Sequence, residues 1–600
     1  MTLNKMTALE GVERPRIADP TNSLWGSDVV AEMLRRCDIP YVAMVPGSSY
    51  RGLQDSLVNY LGNDRPQMLV CLHEEHAVAI AHGFARVTGT AMAAALHSNV
   101  GLMHALMAVY NAYCDRAPLL LLGATGPVDA SQRRPWIDWI HTSRDQGALL
   151  RGYVKWDDQP ASPTAAMEAT LRGIRLTNMH PKAPVYICYD VSDQECAINR
   201  DFQFADPSRF TVPSDPLPQP QDVARAAEML RKAKNCVILA GRVSRSKDDW
   251  YARVKLAERL GARVITDIKT PAAFPTLHPL HVGEAGTFLS ETQRETLAKA
   301  DIVLDLDWID PAGALRQAVG TTAHLVDVIS VGLGQSLSNG WSYDHYAMLP
   351  ATVSLATTAD IATRHLLQAL EAIAEQPASR KLAHPQTQSS DESKTALEKL
   401  TLQTLAKAVG KAVRGRSVSF LRFPLGWPAN ETPFAEPLDY LGADGGAGVG
   451  SGPGLAVGGA LALRGHARLP IAILGDGDFV MGASAIWTAT HYHLPLLVLV
   501  ANNRSYFNDE IHQEAVAKVR GRPVDNRWIG QRLDDPAVDI HQLAQSFGAR
   551  TARAPVTRLG DLASALEEAM SAVESGTTYV LDVQIDVGYA TAMPVTEDKD

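Results

Sequence analysis

Covalent staples, membrane anchors and basic patches are all scarce in this sequence. Six cysteines, Cys37, Cys71, Cys114, Cys188, Cys196 and Cys236, are spread over 600 residues with no CxxC pair. They are too few to cross-link a chain of this length and read as thiols in a reducing compartment. No apolar run approaches the roughly 20 residues of a membrane span. The first twenty residues carry Lys5, Glu10, Glu13, Arg14, Arg16 and Asp19, which leaves no apolar signal core. The expected location is the cytoplasm, with no membrane partner. Lys and Arg number 56 against 66 Asp and Glu, a net charge of -10, and no basic block stands out. Nucleic acid is therefore not an expected partner. What is present is ordinary for a globular protein, 46% hydrophobic and 20% charged residues. At about 150 residues per domain the length predicts three or four domains.

From about residue 25 to 190 short apolar runs alternate with helical patterns: Tyr41–Val45, Met68–Leu72, Ala91–Leu96, Leu119–Leu122 and Val185–Tyr189. This rhythm predicts a parallel sheet covered by helices. After Pro213, Pro216, Pro218 and Pro220 a second such unit carries strand candidates Cys236–Leu239, Arg263–Thr266, Ile302–Leu306 and Leu325–Val328. The polar, aperiodic stretch from Glu375 reads as a linker. The predicted fold is α/β, with three doubly wound domains at 22–195, 215–374 and 397–588 and a linker at 375–396. The first and third units echo each other: Pro118 and Pro495, each opening an apolar run, lie 377 positions apart, and that offset sets Asn99 opposite Asp476. The echo predicts two related folds flanking a different middle domain.

Chemistry concentrates in the third unit. The strand Ile471–Leu474 ends in Gly475-Asp476-Gly477, followed by Asp478, and Leu496–Val500 runs into Asn502-Asn503. Parallel strands that end at the same sheet edge open a crevice for ligands, so the two motifs should be neighbours. Glycines let backbone approach a phosphate, and Asp476 and the Asn503 amide offer the hard oxygens that Mg²⁺ requires. The run Gly442–Gly454 contains no GxGxxG register, and no GxxxxGK[ST] loop exists anywhere, which makes a dehydrogenase the weaker reading and removes the common nucleotidases. In the first unit His73-Glu74-Glu75-His76 stands between a strand and a helix. A metal site from His73, His76 and His82 is one reading, although HEEH fits neither the HExxH nor the HxxEH pattern. Glutamates favouring a helix start through its dipole are another.

GDG followed at this distance by NN resembles the thiamine-diphosphate signature of the decarboxylase and acetolactate-synthase superfamily. The resemblance implies pyrimidine-binding, central and diphosphate-binding domains, with Mg²⁺ ligands Asp476, Asn503 and the carbonyl of Ser505. Gly475, Gly477 and Asp478 fall among the cofactor contacts. Glu74, followed by Gly83-Phe84-Ala85, resembles the superfamily's cofactor-activating glutamate, whose carboxyl protonates the pyrimidine ring. A carboxyl shielded from water donates that hydrogen bond well. Val449 matches the bulky residue beneath the cofactor, and Asn430 and Glu431 in PANETP match a segment near the diphosphate. The resemblance also implies a homodimer or homotetramer whose sites lie between subunits.

Ser48 in PGSS, His97 in LHSNVG and His278 in FPTLHP resemble the benzoylformate decarboxylase branch, where a serine and two histidines orient a 2-oxo acid and move protons. Each has a plainer role open to it, such as a strand end for His97 and a turn cap for His278. The segment after Asn503 departs from that branch: Asn508, Asp509, Glu510 and His512 suit a polar substrate or a proton relay, or equally a solvated helix start. Trp136 and Trp139 suit a pocket mouth or a subunit interface. The expected reaction is non-oxidative decarboxylation of a 2-oxo acid, with an acetolactate-synthase-like carboligase as the close alternative. An inactive regulatory subunit and a dehydrogenase are more distant ones. FAD in the central domain is left open, because no flavin motif is decisive.

Overall fold

Apolar β-branched runs separated by amphipathic helices can bury both faces only as parallel strands between helical layers. A computed structural model describes residues 9, 12–16, 23–320, 326–337, 348–372, 399–443 and 445–588. The expected linker at 375–396 lies outside the described residues. Three parallel sheets follow in chain order. The first is built from β1 (Tyr41–Met44), β2 (Gln67–Val70), β3 (Met92–Leu96), β4 (Leu119–Thr125), β5 (Trp156–Asp158) and β6 (Val185–Asp190), in the order β2-β1-β3-β4-β6-β5. The second contains β7 (Cys236–Ala240), β8 (Arg263–Thr266), β9 (Ile302–Leu306), β10 (Asp327–Val331) and β11 (Val353–Leu355), in the order β8-β7-β9-β10-β11. The third contains β12 (Val418–Arg422), β13 (Leu469–Gly475), β14 (Leu496–Asn502), β15 (Arg550–Thr551) and β16 (Thr578–Gln584), in the order β12-β13-β14-β16-β15.

The first and third sheets share one strand order, with β2 added at one edge of the first. The 377-residue offset read from two prolines also aligns the starts of β3 with β13 and of β4 with β14. The middle sheet is wound differently. The expected strand at Leu325–Val328 begins instead at Asp327. The short strands β5, β11 and β15 all lie at sheet edges, where few residues need be apolar and the sequence signal is weak.

The outer units are locked by two helices, α1 (Glu74–Thr88) and α3 (Gly452–Ala462). Every residue of α3 is buried. Glycine permits the crossing. A Cβ at Gly83 would overlap the carbonyl oxygen of Leu455, and one at Gly458 the carbonyl oxygen of Ile80. One continuous core runs across the crossing, from Phe84 and Leu121 in the first unit to Leu461 and Val498 in the third. Backbone contact of this kind has no flexible side chain to give way, so overpacking here is costly. Gly83→Ala is expected to lose about 3 kcal/mol or more of unfolding free energy, measured by the urea midpoint with unchanged slope. A midpoint equal to that of the parent protein would show that the helices separate without cost.

Candidate active site

Each candidate side chain of the first unit stands where a strand ends. Beyond β1 the chain passes Pro46-Gly47 into a single 3₁₀ turn, Ser48–Tyr50. Beyond β3 comes His97, the N-cap of α2 (Ser98–Cys114). The two strands are hydrogen-bonded neighbours, which brings turn and cap together. Ser49 Oγ lies 2.8 Å from His97 Nδ1. Ser49, not singled out from the sequence, thus holds the imidazole, while Ser48, the expected substrate contact, sits half-buried in the same turn. Burial and the neighbouring His141 ring push the His97 pKa below that of a free imidazole.

Beyond β2, His73 caps α1 by accepting a hydrogen bond from the Glu75 N–H at 3.1 Å, and Glu74 is the first helical residue. Glu74 is buried, 7% exposed, and its Oε2 is hydrogen-bonded to Nδ1 of the exposed His104 at 3.0 Å. The His73 and His104 rings stack at 5.1 Å. The three histidines weighed as a zinc site go separate ways. His76 Nε2 meets Ser484 Oγ at 2.9 Å, His82 Nε2 meets Asp115 at 2.8 Å, and His73 caps its helix. Burial depresses His76 to about 4, so it is neutral at physiological pH.

In the third unit β13 and β14 pair in parallel with Gly475 opposite Ala501, which sets the GDG and NN motifs side by side. Asp476 opens the short helix α4 (Asp476–Gly482) and is buried. Burial pushes its carboxyl up to about 6, against the pull of the backbone N–H groups of Asp476, Gly477 and Arg504. The turn after β14 is tightly specified. Asn502 Oδ1 accepts from the Arg504 N–H at 3.2 Å, its Nδ2 donates to Asp582 at 3.0 Å, and Asn503 Oδ1 accepts from the Ser505 N–H at 2.9 Å. Arg504 takes the left-handed conformation that such Asx turns accept, with φ 55°. Ser505 Oγ donates to Glu510 at 2.6 Å. Glu510 is fully buried and faces Arg532 and Arg527. The polar run after Asn503 is therefore not a wholly solvated helix start. Its glutamate braces the turn from helix α5 (Phe507–Val519), while Asp509 and His512 stay exposed.

Other expected residues lie apart from these clusters. Asp478 is spent on the protein: Oδ1 accepts from Gly450 at 2.7 Å and Gly452 at 3.2 Å, and Oδ2 pairs with Arg422 at 3.0 Å, which fastens the glycine-rich run. Val449, on that run, is 44% exposed. Asn430 and Glu431 form a 3₁₀ turn held by Glu284 and Gln403. His278 stays with its own domain. Its Nδ1 accepts from the Leu280 N–H at 3.2 Å and its Nε2 meets Glu258 at 3.2 Å, the turn-capping arrangement. Trp136 and Trp139 are exposed. Sequence reasoning missed Ser49 and His104, and named Asn502 and Glu510 without the bracing roles they take here. Only Asn502, standing inside the NN motif, carried a usable signal.

Family models for the thiamine pyrophosphate enzymes match three stretches: the N-terminal TPP-binding domain at residues 24–149, the central domain at 223–306 and the C-terminal TPP-binding domain at 425–583. The chain belongs to this family. It is 26% identical to the benzoylformate decarboxylase of Pseudomonas aeruginosa over 556 residues, covering 90% of this chain and 96% of that one. It is 22% identical to a probable acetolactate synthase large subunit of Methanocaldococcus jannaschii, covering 95% and 93%. Among solved structures, benzoylformate decarboxylase from Polynucleobacter necessarius shares the fold with a TM-score of 0.77 at 20% identity, covering 95% of this chain and 100% of that one.

The donor chemistry suits the family's cofactor. A buried carboxylate, an amide oxygen and a backbone carbonyl, all hard oxygens, lie just beyond two neighbouring strand ends, and a buried carboxyl stands at the start of α1. Outer partners that orient such ligands commonly contribute about 10- to 100-fold in affinity. Asn502→Ala is therefore expected to weaken calorimetric binding of thiamine diphosphate with Mg²⁺ by about 10- to 100-fold, with circular dichroism unchanged. Unaltered affinity would remove the turn from the site.

Proposed function

We propose that this enzyme is a thiamine-diphosphate- and Mg²⁺-dependent non-oxidative decarboxylase of a 2-oxo acid, working as a homodimer or homotetramer in the cytoplasm. One observation carries the reading: a half-buried imidazole, His97, is fixed by Ser49 at the same sheet edge as Glu74. Decarboxylation to an aldehyde consumes one proton at carbon, whereas joining two carbonyl compounds leaves that carbon bonded to carbon. A positioned imidazole supplies such a proton. The similarity to a protein named benzoylformate decarboxylase supports the same choice. The similarity to a probable acetolactate synthase keeps carboligation as the alternative.

When bound, thiamine diphosphate supplies the electron sink that lets the carboxylate leave. The residues of this chain do the rest. Asp476, Asn503 and the Ser505 carbonyl would hold Mg²⁺ and with it the diphosphate, beside Gly475 and Gly477. Glu74 would hold a proton against the pyrimidine ring. Exposed apolar side chains flank both halves, with Leu72, Val100 and Met103 near Glu74 and Val449 and Met481 near the glycine-rich run. A second copy of the chain would cover them and exclude water. None of the six cysteines is in a disulfide, in keeping with a reducing compartment. Among the described residues no helix is long and apolar enough to cross a membrane.

The test is to incubate the holoenzyme with a panel of 2-oxo acids, with and without acceptor aldehyde, and to identify products by mass. Release of CO₂ with free aldehyde is the expected result; only coupled ketone products would select the carboligase. Glu74→Gln is expected to keep the fold and to lose about 10²- to 10⁴-fold in turnover, and undiminished turnover would refute its role.

A further inference from the structure

A second imidazole stands against His97, and it is not the one expected from the sequence. The His141 ring meets the His97 ring edge to face, with centroids 4.8 Å apart. Its position is built rather than accidental. Arg134 grips Asp138 through its backbone N–H and its guanidinium, which closes the short turn of helix before His141. Asn99 Nδ2, two residues beyond His97, donates to the Ile140 carbonyl at 3.1 Å and ties that turn to the start of α2. On the opposite side, Gly47 leaves room for the His97 ring, because a Cβ there would fall inside it. His141 Nδ1 is a buried atom with no hydrogen-bond partner among the described residues. A ring nitrogen left unmatched in this way is poised for a group from outside the chain.

We propose that His141 is the proton partner of His97, so that Ser49, His97 and His141 form one acid–base unit in which the two neighbouring imidazoles are not charged at the same time. The proposal rests on the decarboxylase reading for its chemistry. In that reaction a 2-oxo carboxylate and one proton give an aldehyde and CO₂. The bond between the carbonyl carbon and the carboxylate breaks, its electron pair stays on carbon, and that carbon finally takes a proton. His97 gives up the proton and solvent water restores it through the pair. Two rings this close resist being charged together, so the proton held by one is readily released. Ser49 acts as a positioning residue, fixing the Nδ1 side so that Nε2 is the working nitrogen.

The charged and titratable groups facing His97 are His141 and Arg134 on the segment after β4 and Glu74 on α1; the first two favour the neutral ring and Glu74 the charged one. Removing His141 should therefore raise the His97 pKa. The test uses full-length protein labelled with ¹³C-histidine, the His97 signal being assigned by its loss in His97→Gln. In His141→Gln the His97 titration is expected to move to higher pH in the resting protein. With an accepted 2-oxo acid, kcat should fall about 100-fold, KM should change less than threefold, and the acid limb of the pH profile should move the same way. His141→Asn, checked by its melting midpoint, provides a second variant. An unshifted His97 titration in folded variants overturns the pairing. If no 2-oxo acid is decarboxylated, the decarboxylase reading fails, and the titration shift alone then upholds or overturns the pairing.

Discussion

A parallel sheet brings the carboxyl ends of all its strands to one edge, and the chemistry of this molecule is arranged by that constraint. The Ser48–Tyr50 turn follows β1, Glu74 follows β2, His97 follows β3 and His141 lies on the segment after β4. In the third unit Asp476 follows β13, and Asn502 and Asn503 close β14. Each of these side chains is carried to the crevice by a strand whose apolar residues are buried for other reasons, and in the third unit local turns then fix Asn502 and Asn503.

The two outer sheets have the same order but opposite chemistry. At the third sheet the crevice offers oxygen ligands and a turn braced by Asn502 and Glu510, suited to a cation and an anion. At the first sheet the equivalent crevice offers imidazoles and one buried carboxyl, suited to moving protons. A cofactor with a charged tail and a basic ring needs both surfaces, and no single doubly wound unit here has them.

Much of this was legible in the sequence. The GDG and NN motifs sit at the ends of apolar strands, and strand ends are easy to locate when the strand itself is continuous and hydrophobic. Glu74 was legible for the same reason. The prolines at 118 and 495 exposed the shared layout because a proline before a buried strand marks its start. The unseen parts involve contacts that spacing does not encode. Ser49 and His97 are 48 positions apart and touch only because β1 and β3 are neighbours in the sheet. His141 lies on a connection without regular periodicity, and Glu510 was hidden in a polar run that looked solvated. His278 is the case where a motif leaves two roles open, and within this chain its ring nitrogens cap a turn and meet Glu258. The short edge strands escaped because an edge needs little hydrophobic sequence.

The crossing of α1 and α3 has a mechanical consequence. Where backbone lies directly on backbone, as at Gly83 and Gly458, there is no cushion of side chains that could shear. The outer units are thereby joined as a stiff chassis at the level of the backbone itself.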